Sequence, residues 1–151
     1  MKKCTLALGC FWKPEENFKD KPGIIETEVG YAGGASPNVT YEEVCGGNTG
    51  HAEVVRLTYD DKLISFKKIL DLFFKMHDPT QKDMQYPDIG TQYRSEIFYL
   101  NDQQKITAEK MIEKENVKLS GKVVTKTSLV KNYCPAAVSY THLTLPTILL
   151  V

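Results

Sequence analysis

No sign of charge dominates this chain of 151 residues: nineteen lysines and arginines stand against nineteen aspartates and glutamates. That balance removes the electrostatic footprint of a nucleic-acid or anionic-membrane binder. Long apolar runs are also missing; the longest fall far short of the roughly 20 residues that cross a bilayer. Met1 to Leu8 carries two lysines and a short apolar stretch, too brief for a secretory signal, and runs straight into a Gly-Cys turn. Cysteine is sparse. Cys4, Cys10, Cys45 and Cys134 are the four present, and no two have CxxC spacing, which argues against a zinc ribbon or a thioredoxin-like motif. Without a secretory signal, and with 42% hydrophobic residues to build a core, the chain does not need disulfides. The thiols are therefore expected to be reduced in a cytoplasmic protein, and at least one is free for chemistry. No internal repeat is visible.

What is present reads as one domain in which strands and helices mix without a regular βαβ repeat, an α+β arrangement. Lys2 to Leu8 is a short strand entering the Gly-Cys turn. Pro14 suits the first turn of a helix to about Lys19, and Pro22-Gly23 ends it. Ile24 to Tyr31 alternates as a strand, and 32–50 is loop, rich in Gly, Ser, Pro and Asn. His51 to Asp60 is a strand with Glu53, Val55, Leu57 and Tyr59 on one face. Ser65 caps a helix to Met76 with a stripe of Phe66, Ile69, Leu70, Phe73 and Phe74. His77 to Ser95 has no periodicity, and an irregular stretch of that length in a compact domain is usually functional. Glu96 to Leu100 is a strand. Asn101 with Gln104 resembles a capping box opening a helix to Asn116, and Val123 to Val130 is the last strand.

Three segments carry chemistry. Gly9-Cys10-Phe11-Trp12 sets a cysteine between a strand and a helix, where free N–H groups and the helix dipole favour a thiolate. Phe11 and Trp12 offer an apolar wall beside the sulfur. In the second segment, Glu53 shares a face with apolar residues. If that face is buried, its pKa rises and it can hold a proton near neutral pH. The third, His77-Asp78-Pro79-Thr80-Gln81 followed by Asp88 to Ser95, supplies a carboxylate, a phenol and amides on backbone held by Pro and Gly.

GCFW, GYAGG, TYEEVCGGNTGHAEVV and HDPTQ…DIGTQYRS, in this order from about Leu6 to Ala136, resemble the A-type peptide methionine sulfoxide reductases. The resemblance implies a two-layer α/β sandwich with a mixed sheet and a ferredoxin-like core. It also implies repair of oxidised proteins under oxidative stress, by reduction of the S epimer of methionine sulfoxide, free or in proteins. Residue by residue, Cys10 stands at the nucleophile, Glu53 at the acid facing the sulfoxide oxygen, and Tyr41 and Tyr93 at the phenols that bind it. Asp88 stands at the active-site aspartate, and Phe11 and Trp12 at the pocket for the substrate methyl group. The product on Cys10 is a sulfenic acid, cleared by another thiol. No metal or organic cofactor is implied, only an external thiol reductant such as thioredoxin. The expected partners are oxidised methionine and that reductant, with no nucleic acid, no membrane and a monomeric chain.

The chain departs from the family pattern in two places. Tyr86-Pro87 stands where the family usually has Gly-Asn. After Lys131 no charged residue appears, and 137–151 resembles translated sequencing-adapter sequence; the alternative is a genuine apolar tail. On the adapter reading the reductase domain is 1–136, truncated at its C-terminus, and 137–151 is an artefact. Resolving cysteines usual beyond that point are absent. Cys45, which reads first as a buried structural thiol, Cys134 and a purely external thiol stay open. His51 reads as a hydrogen-bonded structural histidine rather than half of a cysteine–histidine dyad, and Cys4, Cys10, Cys45 and His51 lack metal-ligand spacing. Two rivals remain, a thiol peroxidase and a module that binds oxidised methionine without turnover.

Overall fold

The computed structural model describes residues 1–136. The chain runs β1 (Lys2–Leu8), α1 (Trp12–Phe18), β2 (Ile24–Ala32), α2 (Tyr41–Cys45), β3 (Ala52–Tyr59) and α3 (Phe66–Met76). A two-residue hairpin pair, β4 (Met84–Gln85) and β5 (Asp88–Ile89), and a 3-10 turn at Thr91–Tyr93 follow. Then come β6 (Ser95–Tyr99), α4 (Asp102–Lys118), β7 (Lys126–Leu129) and β8 (Cys134–Pro135).

One sheet has the order β7-β6-β1-β3-β2-β8. Every neighbouring pair is antiparallel except β6 and β7, so the sheet is mixed. Its centre, β6-β1-β3-β2, with α1 between β1 and β2 and α3 between β3 and β6, is the split βαβ arrangement of a ferredoxin-like core. The two-residue period of the strands sorts the core. Cys4, Leu6 and Leu8 of β1 and Val55, Leu57 and Tyr59 of β3 meet Phe18, Ile69, Leu70, Phe73, Ala108 and Met111 from α1, α3 and α4. Truncating one such side chain, Phe73→Ala for example, costs about 3–5 kcal/mol. The opposite face carries Ala7, Ala32, Ala52, Val54 and Phe98, packed against Val130 and Tyr133.

Ser65 caps α3 as expected, accepting from the Lys68 N–H at 3.0 Å. At α4 the cap is altered. Asn101 accepts from the Gln104 N–H, but the Gln104 side chain takes the Leu100 N–H and donates to the Lys3 carbonyl, tying the helix start to β1.

Helix α1 starts at Trp12, with Pro14 in its first turn as expected. Other expectations are corrected. The segment 32–50 is not all loop: Thr40 and Glu43 form a reciprocal capping box that opens α2. The last long strand shrinks to Lys126–Leu129, and 77–95 holds a hairpin and a 3-10 turn. The reading of 137–151 as a foreign tail lies outside the described residues. Among the described residues no helix is long and apolar enough to cross a membrane.

Candidate active site

The site forms where β1 ends and the helical layer has not yet begun. Gly9, at a φ of +97°, turns the chain so that Cys10 sits half-buried between β1 and α1. The next residue, Phe11, is the helix cap and is buried. Its own side chain caps nothing, and its N–H donates to Glu53 Oε1 at 3.2 Å. Glu53 reaches this point because it shares a strand face with Val55, Leu57 and Tyr59, which point into the helical core. Only 2% of Glu53 is exposed. Burial pushes its carboxyl up to about 7, the Phe11 N–H opposes the rise, and the Asp88 carboxylate adds to it. No cation pairs with it among the described residues. A group so placed shares its proton at neutral pH, as a general acid requires.

The remaining residues named from the sequence gather around this pair. Trp12, 40% exposed, packs edge-on to Phe11 with ring centroids 5.2 Å apart. Asp88, on β5, adds negative potential at Cys10, at Glu53 and at Tyr93. Tyr93 ends the 3-10 turn, and burial together with Glu53 pushes its phenol up to about 12. Tyr41 opens α2, where its phenol is hydrogen-bonded to the Cys45 thiol one turn along. That bond, then the charges of Cys45 and Glu53, drive the phenol well above its ordinary range, so both phenols stay protonated and can donate.

Two sequence readings are overturned here. A lowered pKa was expected for Cys10 from its helix N-terminus. Instead burial pushes the thiol up, Glu53, Asp88 and Cys45 add to the rise, and the Trp12 N–H opposes it only in part. A seven-residue helix carries too little dipole to prevail over a half-buried sulfur ringed by acidic groups. Cys45, read first as a buried structural thiol, is exposed, and it lies in the electrostatic surroundings of Cys10, Tyr31 and Tyr93. The sequence signal for that position was the Thr40–Glu43 box, which makes Tyr41 and Cys45 neighbours on one helix face. His51 is structural: Nδ1 accepts from the Gly34 N–H at 3.2 Å and Nε2 donates to the Ser36 carbonyl. Among the described residues no cluster of three or more His, Cys, Asp or Glu side chains is arranged to hold a metal.

The loop residues are fixed by an ion pair. Arg94, next to Tyr93, pairs with Glu96 at 2.7 Å and also donates to the Thr91 and Gly50 carbonyls. Gln85 donates to the Asp78 carbonyl and accepts from the Asp78 N–H, closing the segment that leads to Asp88.

A family model described as peptide methionine sulfoxide reductase matches residues 2–143. The chain belongs to that family. Among peptide methionine sulfoxide reductases, the MsrA of Pelagibacter ubique is 62% identical over 136 residues, covering 90% of this chain and 92% of its own length. The MsrA of Campylobacter jejuni is 50% identical over 142 residues, covering 94% and 85%. The reduced form of Saccharomyces cerevisiae Mxr1 superposes with a TM-score of 0.84 at 35% identity, covering 95% of this chain and 86% of that one. Mxr1 in complex with Trx2 gives a TM-score of 0.67 at 29% identity, covering 92% and 84%.

Proposed function

We propose that this chain, a thiol-dependent peptide methionine sulfoxide reductase, acts on the S epimer through Cys10 as nucleophile and Glu53 as acid. A sulfoxide sulfur is a weak electrophile until its oxygen takes a proton. The observation that carries the reading is a buried carboxyl, held up near 7 and fixed by the Phe11 N–H, beside a half-buried thiol. Glu53 gives its proton to the oxygen, which Tyr41 and Tyr93 hold by donating hydrogen bonds. Cys10 attacks the sulfur, the oxygen passes from the substrate sulfur to the Cys10 sulfur, and the sulfur–sulfur bond breaks to release methionine, leaving Cys10 as sulfenic acid. Proton count balances, because the thiol loses the proton that Glu53 recovers. Phe11 and Trp12 receive the substrate methyl group. Asp88 belongs to the same charge cluster and adds to the burial that raises the Glu53 pKa.

The sulfenic acid is reduced by an external thiol, with thioredoxin as the natural reductant and no organic cofactor. Cys45 supplies the intermediate thiol: its sulfur displaces water from the Cys10 sulfenic acid to leave a disulfide. Its exposure and its electrostatic effect at Cys10 favour it over Cys4, which is sealed in the core, and over Cys134, which lies on β8. The enzyme works as a monomer in the cytoplasm on oxidised methionine, free or in proteins, and residues 1–136 are its catalytic domain.

The test is stereochemical. With racemic methionine sulfoxide and dithiothreitol, only the S epimer should disappear, and Cys10→Ser should stop the reaction. Loss of the R epimer, or turnover by Cys10→Ser, removes the reading. One equivalent of substrate without reductant should give a Cys10–Cys45 disulfide on peptide mapping; a lasting sulfenic acid excludes Cys45.

A further inference from the structure

Tyr31, on β2, belongs to none of the roles above, yet it is wholly buried at the site. In the β2–β3 ladder it lies directly opposite Glu53, so the two side chains rise side by side from one face of the sheet. Its ring packs on Phe11, the residue whose N–H holds Glu53, with centroids 5.7 Å apart. Its exposure is 0%, and among the described residues its hydroxyl has no hydrogen-bond partner. Buried hydroxyls are nearly always paired, and leaving one unpaired disfavours the folded state. An unpaired donor beside a neutral acid has a state in which it would be paired: the one in which that acid has given up its proton.

We infer that Tyr31 is a positioning residue for the reaction, whose hydroxyl donates to the Glu53 carboxylate that exists after the proton has moved to the sulfoxide oxygen. The proposal rests on Glu53 being the acid. In the resting enzyme Glu53 is protonated and needs one donor, the Phe11 N–H at Oε1. Once Glu53 is ionised, Oε2 needs a second donor, and a small rotation of either side chain supplies Tyr31. An interaction absent in the ground state and present after proton transfer lowers the barrier rather than tightening substrate binding. The other groups facing Glu53 do not fill this place. Asp88 from β5 raises the Glu53 pKa and so opposes the ionised form. Tyr41 from α2 and Tyr93 from the 3-10 turn are engaged by the substrate oxygen. Cys10 from the β1–α1 turn is the attacking group.

Tyr31→Phe removes the hydroxyl and little else. We expect kcat to fall about tenfold or more with KM unchanged, the size of one hydrogen bond to a charged group. The alkaline limb of the kcat–pH profile should move to higher pH, because the Glu53 carboxylate has lost a donor. The thermal midpoint should hold or rise, since an unpaired buried hydroxyl is gone. In a Glu53→Gln background the same change should have no further effect. Should phenylalanine disturb folding, Tyr31→3-fluorotyrosine, a stronger donor of nearly equal size, should move the limb to lower pH. An unchanged kcat and limb in Tyr31→Phe, with Glu53→Gln inactive, overturns the inference alone. Wild-type turnover by Glu53→Gln overturns the reading of Glu53 beneath it.

Discussion

Two glutamates lie inside this sheet, and the protein treats them in opposite ways. Glu96, on β6, is 5% exposed. Arg94 Nε meets one of its oxygens at 2.7 Å, and the Ser128 hydroxyl donates to the other. Glu53, on β3, is as deeply buried but has one backbone N–H and a neighbouring carboxylate. Burial is common to both, and what differs is what compensates it. Glu96 has a guanidinium and a hydroxyl and pins a loop. Glu53 has no cation among the described residues, so burial holds its carboxyl up and Asp88 adds to the rise.

The comparison can be broken from both sides. Glu53→Gln keeps the shape and the acceptor for the Phe11 N–H but cannot release a proton. We expect turnover to fall about 10²–10⁴-fold with the fold intact, measured as loss of the S epimer. Glu96→Gln should do the reverse in kind. Removing the anion from this mostly buried pair should cost about 3 kcal/mol in denaturant unfolding. The rate per folded molecule should change far less.

The pH dependence sharpens the contrast. Glu53 titrates near 7 in the fold against 4.5 unfolded, so its contribution to stability is present in full below 4.5 and lost as pH rises through about 7. Wild-type unfolding free energy should therefore fall between pH 5 and 8 by on the order of 2 kcal/mol more than that of Glu53→Gln. Turnover should decline over the same upper range as the acid loses its proton. His77 acts at the other end. Burial lowers it to about 4, with Nδ1 on the Phe73 carbonyl and Nε2 on the Ser95 hydroxyl. Its contribution is present above 6.5 and lost as pH falls through about 4, so a His77→Gln variant should lose less stability on acidification. The smallest effect is expected at the phenols: Tyr41→Phe and Tyr93→Phe should each lower kcat/KM about tenfold, the size of one hydrogen bond.

Much of this site could be read from local pattern. Alternation along 51–60 put Glu53 on the buried face of β3, and the stripe of α3 with its Ser65 cap appeared as expected. What could not be read was set by contacts distant in sequence. Tyr31 meets Glu53 only through the pairing of β2 with β3, which no local pattern states. The rise in the Cys10 pKa comes first from burial, and Glu53 and Asp88, far along the chain, add to it, whereas the helix start that suggested the opposite is local. Helix α2 is the exception. Its Thr40–Glu43 box was there to be found, hidden by a glycine- and proline-rich setting that reads as loop.

Cys4 offers a use of its own. It points from the central strand into the helical core, 0% exposed, with its thiol driven far above the ordinary range by burial. No alkylating reagent reaches it while β1 keeps both its partners. Its labelling rate thus clocks the rarest openings of the sheet, and a gentle mass-tag experiment can weigh the whole domain without any added probe.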